Sequence, residues 1–314
     1  MRVVVTGATG NVGTSVLAAL EREPRVTEIV GLARRVPESL SLPKVRWRQA
    51  DVTTTPLAPI FADADAVVHL AWAIQPSHDE AAMERVNVGG SGRVFGAAAQ
   101  AGVGALVHAS SVGTYSRGPK DRQVDEAWPT DGIPTSAYSR HKAKVERLLD
   151  DLAADSHMRV VRLRPGLIFK AEAASEIRRL FLGPLLPNLL VRPRLIPFVP
   201  DVPGLRFQAV HADDVGEAYR RAVVGDVDGA FNIAAEPTIG PPELASLLRA
   251  RRLSLPGRVL RAAAAVTWRA HLQPADPGWI DLALGVPLMD GARARRELGW
   301  EPRRTSLEAL GELL

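Results

Sequence analysis

MRVVVTGATGNVG, residues 1–13, places an apolar run, Val3 to Thr6, directly before glycines at positions 7, 10 and 13. The run is too short for anything but a buried strand, and the residues after it have a helical pattern. A strand, a glycine-spaced turn and a helix start make a cradle for a dinucleotide. Gly7 permits the tight turn, Gly10 lets backbone approach a diphosphate, and Gly13 lets helix and strand pack closely. Thr9, Asn11 and Val12 fill the spaces between them, where the helix amino terminus offers unpaired N–H groups to phosphates.

Further β-rich runs occur at 28–33, 45–49, 66–70, 105–109 and 160–164, separated by helical stretches around 12–22, 80–101 and 135–154. This alternation predicts an α/β fold, a doubly wound parallel sheet (Rossmann-like). Beyond Pro165 the regularity fades into Pro- and Gly-rich sequence, with strand-like runs at 206–210 and 230–233 and a helix at 213–224. The expected organisation is a dinucleotide-binding domain over 1–165, with 206–227 returning to it. A smaller mixed α/β lobe over 166–205 and 228–314 would close over the substrate at the carboxyl ends of the strands.

The 314 residues contain no cysteine, which excludes disulfides and thiolate metal sites. Met1-Arg2 runs straight into the first strand and leaves no room for a leader, so a cytoplasmic location is expected. The net charge of +4 rests mostly on arginines interspersed with acids, as in RRELGWEPRR, with no aromatic-interleaved basic face. Nucleic acid is therefore not an expected partner. The apolar segment 180–200 is broken by Arg192, Arg194 and several prolines; it predicts a lid or pocket wall and no transmembrane helix. The seven histidines show no ligand spacing, and no metal is expected.

Tyr138 and Lys142 stand four apart in SAYSRHKAKVERLLD, one helical turn, so both share a face. A phenol titrates near 10, too high for easy acid–base work at neutral pH, and an adjacent ammonium is expected to lower it. Upstream, VHASSVGTYS (107–116) ends an apolar strand in two serines. Ser111 is the candidate for orienting a substrate oxygen, and Ser110 could cap the strand end instead.

These motifs, with Asp51-Val52, HLAW at 69–72, Asn87 in ERVNVGGS, RPG at 164–166, HADDV at 211–215 and ARRELGW near the end, resemble the extended short-chain dehydrogenase/reductase family, which includes NAD-dependent epimerases and dehydratases of sugar nucleotides. The resemblance covers nearly the whole chain. It implies Ser111, Tyr138 and Lys142 as catalytic residues, with Asn87 holding their geometry. It implies that Asp51 and Val52 flank the adenine, that Leu70 and Ala71 line the cofactor groove, and that Pro165 and Gly166 lie near the nicotinamide. It also offers a homodimer contact through the helices at 80–101 and 135–154.

In VGLARR, Ala33 stands where an acid would select NAD, and Arg34 follows it. A guanidinium suits the extra phosphate of NADP, so NADP is the expected cofactor, with NAD the alternative. Family dehydratases carry an acid pair after the catalytic hydroxyl residue; Val112 and Gly113 stand there in this chain. The expected activity is carbonyl reduction, or the reverse alcohol oxidation, on a small-molecule substrate, with Trp72 in the pocket wall. A nucleotide-sugar epimerase is the alternative, and Arg206 would then meet the substrate phosphate. A non-catalytic NADP-sensing protein is the alternative of another class.

Overall fold

A computed structural model describes residues 1–38, 40–74, 78–173, 197–273 and 275–312. The 180–200 segment falls almost wholly outside them.

Seven parallel strands form the central sheet: β1 (Arg2–Thr6), β2 (Glu28–Ala33), β3 (Val45–Gln49), β4 (Ala66–His69), β5 (Ala105–Ala109), β7 (Arg159–Pro165) and β11 (Gly229–Ile233), in the order β3-β2-β1-β4-β5-β7-β11. Between β5 and β7 the chain adds β6 (Gln123–Val124), and after β7 come β8 (Leu167–Phe169), β9 (Phe198–Asp201) and β10 (Ala209–His211). Two further strands are β12 (Arg251–Ser254) and β13 (Leu288–Met289). Strand order reverses between β1 and β4, which opens a crevice at their carboxyl ends where ligands of such sheets bind.

The sheet is buried on both faces because its side chains alternate. Val3 and Val5 face α1 (Asn11–Glu21), packing with Val16, Leu17 and Leu20 in one core cluster. Val4 joins Val67, Leu106 and Phe95 in a second cluster on the opposite face. That second face is covered by α4 (Gly90–Gln100) and α5 (Ala137–Asp155). The helix expected over 80–101 is interrupted: α3 (Glu80–Glu84) runs into a π-helical turn, Arg85–Gly89, before α4.

Two strands differ from expectation. The run at 206–210 starts its strand only at Ala209, and β10 pairs with β8 outside the central sheet. The run at 230–233, assigned from sequence to the smaller lobe, pairs with β7 from Gly229↔Val161 to Ile233↔Pro165 and forms the edge of the central sheet. Between these strands, α6 (Ala212–Val224) packs on α1 so closely that a Cβ on Gly216 would lie 2.6 Å from the Ser15 carbonyl oxygen. The remaining helices are α7 (Pro241–Leu248), α8 (Gly257–Arg269), α9 (Gly278–Gly285), α10 (Ala292–Arg296) and α11 (Ser306–Gly311). Among the described residues no helix is long and apolar enough to cross a membrane.

Candidate active site

The glycine turn has the steric character its spacing predicts. Gly7 sits at φ +68°, and a Cβ there would lie 2.7 Å from the Ala71 amide nitrogen. At Gly13 a Cβ would come within 2.4 Å of the Gly7 carbonyl oxygen, so strand and helix could not approach as they do. Gly10 faces open space apart from the Gly7 oxygen at 3.4 Å. No side chain caps α1, and the Asn11 Oδ1 is buried without a partner. Uncapped N–H groups and room above Gly10 fit a dinucleotide diphosphate at this turn.

Leu70 and Ala71 cross over Gly7, and their amides donate to Thr6 Oγ1 at 3.3 and 3.4 Å. Thr6 belongs to a buried chain of polar groups. Its Oγ1 lies 2.7 Å from His69 Nδ1, His69 Nε2 lies 2.9 Å from Ser91 Oγ, and Ser91 Oγ donates to the Asn87 carbonyl oxygen at 2.5 Å. Because Ser91 spends its one proton on Asn87, His69 Nε2 must donate to Ser91, and Nδ1 must accept from Thr6. Burial, with the Lys142 charge second, pushes His69 down to about 3 and keeps it neutral. The Asn87 side chain then closes the loop after β4: it accepts from the Ala73 amide at 2.7 Å and donates to the Ala73 carbonyl at 3.0 Å. Its place on a π turn is one often found at functional sites.

Ser111 lies just beyond β5, with its Oγ accepting from the Gly113 amide at 3.0 Å. Gly113 is squeezed between Ser111 and Tyr138: a Cβ would stand 2.7 Å from Tyr138 Cε1 and 3.3 Å from Ser111 Oγ. Tyr138 lies in the first turn of α5, which Ser136 caps. Its ring sits between Trp72 and Trp279, at centroid distances of 6.0 and 5.2 Å. Lys142 is buried at 3% exposure, with its ammonium donating to the Ala109 carbonyl at 2.6 Å and lying 3.4 Å from the Trp72 ring centroid.

This arrangement corrects the expectation of an acidified phenol. Burial pushes Tyr138 up to about 12, opposed only by its hydrogen bond from Ser111. Lys142 contributes no counter-charge because its ammonium is turned toward Ala109 and Trp72, 5.9 Å from the tyrosine ring centroid. Burial also drives Lys142 down to about 7, against an opposing contribution from Glu146.

Glu146, one turn beyond Lys142, was not singled out from sequence. Its carboxylate accepts Ser110 Oγ at 2.5 Å and a bidentate pair from Arg164, both bonds 2.9 Å. Ser110 is thus tied to α5, while Ser111 points to Tyr138. Arg164 continues to Tyr115 Oη at 3.1 Å, and Tyr115 donates to Asn232 Oδ1 at 2.6 Å. The i+4 spacing from Lys142 is a signal for Glu146, but its partners lie on β7 and after β5.

The other candidates lie apart from this group. Arg34 is exposed just beyond β2, and Asp51 lies beyond β3; the Asp51 carboxyl is held low by Thr53 hydrogen bonds, with Arg34's charge adding to them. Val52 packs against Gly90, where a Cβ would come 2.8 Å from its Cγ2. Pro165 ends β7, and Gly166 is required by close packing, since a Cβ would lie 2.4 Å from the Gln208 carbonyl oxygen. Arg206 donates to the Lys120 carbonyl at 2.8 Å, and Lys120 returns a bond to the Arg206 carbonyl and another to Ala283 in α9, each 2.8 Å. Among the described residues no group of acids and histidines could hold a metal.

Residues 3–234 match the model of the NAD dependent epimerase/dehydratase family. An uncharacterised protein of Mycobacterium tuberculosis (strain ATCC 25618 / H37Rv) is 28% identical over 313 residues, 99% of this chain but 29% of that protein, so the chain spans under a third of the relative's length. A 4-hydroxy-2-methyl-3-oxo-4-farnesyl-3,4-dihydroquinoline-1-oxide ketoreductase of Stigmatella aurantiaca is 29% identical over 338 residues, covering 100% of this chain and 96% of that protein. The structure of a Thermus thermophilus UDP-glucose 4-epimerase complex with NAD superposes with a TM-score of 0.73 at 20% identity, covering 100% of this chain and 97% of that one, and shows the shared fold.

Proposed function

We propose, for a chain that belongs to the NAD dependent epimerase/dehydratase family, an NADP-dependent reductase of a small-molecule carbonyl in which Tyr138 moves the proton. The observation that carries this reading is the meeting of Ser111, Tyr138 and Lys142 at the carboxyl edge of the sheet, beside a glycine turn built for a dinucleotide.

The dinucleotide, when bound, supplies or accepts the hydride. Everything else falls to side chains. Ser111 and Tyr138 flank Gly113 side by side, so an oxygen entering between them would meet two hydroxyl donors. Tyr138 is fully protonated at neutral pH and is poised to donate; a developing alkoxide is a stronger base than a phenolate, so transfer runs downhill. Lys142, its ammonium held by the Ala109 carbonyl and the face of Trp72, would orient the ribose of the bound dinucleotide. Asn87, through Ala73, keeps the Trp72 loop in place over the lysine. Trp72 and Trp279 shield the phenol from water and favour a substrate with apolar surface near its carbonyl.

Arg34 supports NADP: it is exposed next to Ala33, which stands where an acid would select NAD. A cell keeps NADP largely reduced, which favours net reduction. The name of the full-length Stigmatella relative, a ketoreductase, is in keeping with this. One observation favours the nucleotide-sugar epimerase as a second reading. Lys120, Arg117 and Arg206 gather near α9, with Lys120 lowered to about 8 by burial and then by the two arginine charges. Such a cluster suits an anionic substrate group.

The test is to purify the protein, release any tightly held cofactor, and follow NADPH oxidation across a carbonyl panel. Tyr138→Phe should bind NADPH as tightly as the parent while turnover falls about 10²-fold or more. Retained NAD with no net NADPH oxidation would favour the epimerase, and full turnover by the Phe variant would refute the role of Tyr138.

A further inference from the structure

One positive charge near the glycine turn has no part in that chemistry. Lys170 follows β8 directly and is buried, with 9% of its surface exposed. Its ammonium donates to Thr14 Oγ1 at 2.6 Å. Thr14 lies in the opening turns of α1, and its hydroxyl donates back to the Asn11 carbonyl at 3.2 Å. Its remaining lone pairs are therefore what Lys170 engages.

The ammonium thus sits against the positive end of a helix that no side chain caps. Among the described residues no carboxylate pairs with it; the hydroxyl of Thr14 is a neutral partner. Among the described residues this cation has a hydroxyl partner beside a second positive pole, an arrangement that an added anion would stabilise. Local charge is thus arranged for something anionic at the start of α1.

We propose that Lys170 is a binding residue for the diphosphate of the dinucleotide, reaching the α1 turn from β8. The inference rests on the dinucleotide reading above and adds a ligand outside the glycine motif. The diphosphate is common to NAD and NADP, so Lys170 contributes to both, whereas Arg34 would discriminate between them. Thr14 is a positioning residue that holds the ammonium at the turn.

Calorimetric titration of the parent, Lys170→Met and Lys170→Arg with NADPH, NADH and ADP-ribose tests this, alongside melting of each cofactor-free protein. Lys170→Met should weaken all three ligands about tenfold or more, since a charge-assisted bond is lost. Lys170→Arg should recover most of the affinity. The cofactor-free Met variant should melt no lower than the parent, because it loses a repelled charge and keeps the apolar stem. Unchanged affinity for all three ligands in the Met variant would overturn the proposal while leaving the dinucleotide site intact. A fall in cofactor-free melting that tracks the affinity loss, unrelieved by arginine, would reduce Lys170 to a structural role and overturn it too. If the parent binds none of the three, the dinucleotide reading itself fails, and Lys170 with it.

Discussion

Lys142→Met should make the cofactor-free protein more stable at neutral pH, by an amount that shrinks as pH rises. Burial takes this lysine from its ordinary 10.5 down to about 7, so the folded chain has shed a proton that the unfolded chain keeps. Below about pH 7 both states are charged and the full cost of burying the ammonium is present. Between about 7 and 10.5 the unfolded state holds more protons, and stability of the parent climbs with pH by at most about 1.4 kcal/mol per unit. Methionine fills the same space without the charge and removes that slope. Denaturant unfolding of both cofactor-free proteins at about pH 7.5 and about pH 9.5 should show the variant's advantage falling by about 2–3 kcal/mol between them. Lys120, lowered to about 8, and Tyr138, raised to about 12, titrate in both proteins and cancel in the difference. A difference that stays constant to within about 0.5 kcal/mol would mean that the ammonium is solvated and the site is not as dry as its packing against Trp72 and Ala109 indicates.

Two further outcomes are expected from contacts around the site. Arg34→Ala should weaken NADPH by about tenfold and leave NADH unchanged, measured by equilibrium titration; equal losses for both would show that Arg34 does not read the added phosphate. Arg164→Met leaves Glu146 buried with its bidentate partner gone and should cost about 3–5 kcal/mol in chemical denaturation, whereas the double replacement with Glu146→Gln should restore a good part of it.

What could be read from the sequence was whatever depends on neighbours along the chain. Gly7, Gly10 and Gly13 act within one turn, and Tyr138 and Lys142 within one helix, so spacing alone located them. The electrostatics around that pair were not legible, because Trp72, from the loop after β4, and Ala109, from β5, take up the ammonium that would otherwise have faced the phenol. Glu146 is on the same helix, yet its role depends on Arg164 and Ser110, whose proximity only the sheet order creates. Strand periodicity found 230–233 but not its neighbour, since a short apolar strand carries no mark of which edge it will join.

Because β11 comes back to lie beside β7 after more than sixty residues spent elsewhere, the excursion between them is stapled at both ends to one rigid frame. The packing of α6 on α1 pins part of that excursion to the frame as well, so new specificities can arise by rewriting the rest of it while the glycine turn stays put. The same stapling means that clipping the chain within the excursion should leave the two fragments associated, held by a backbone ladder that neither half can complete alone.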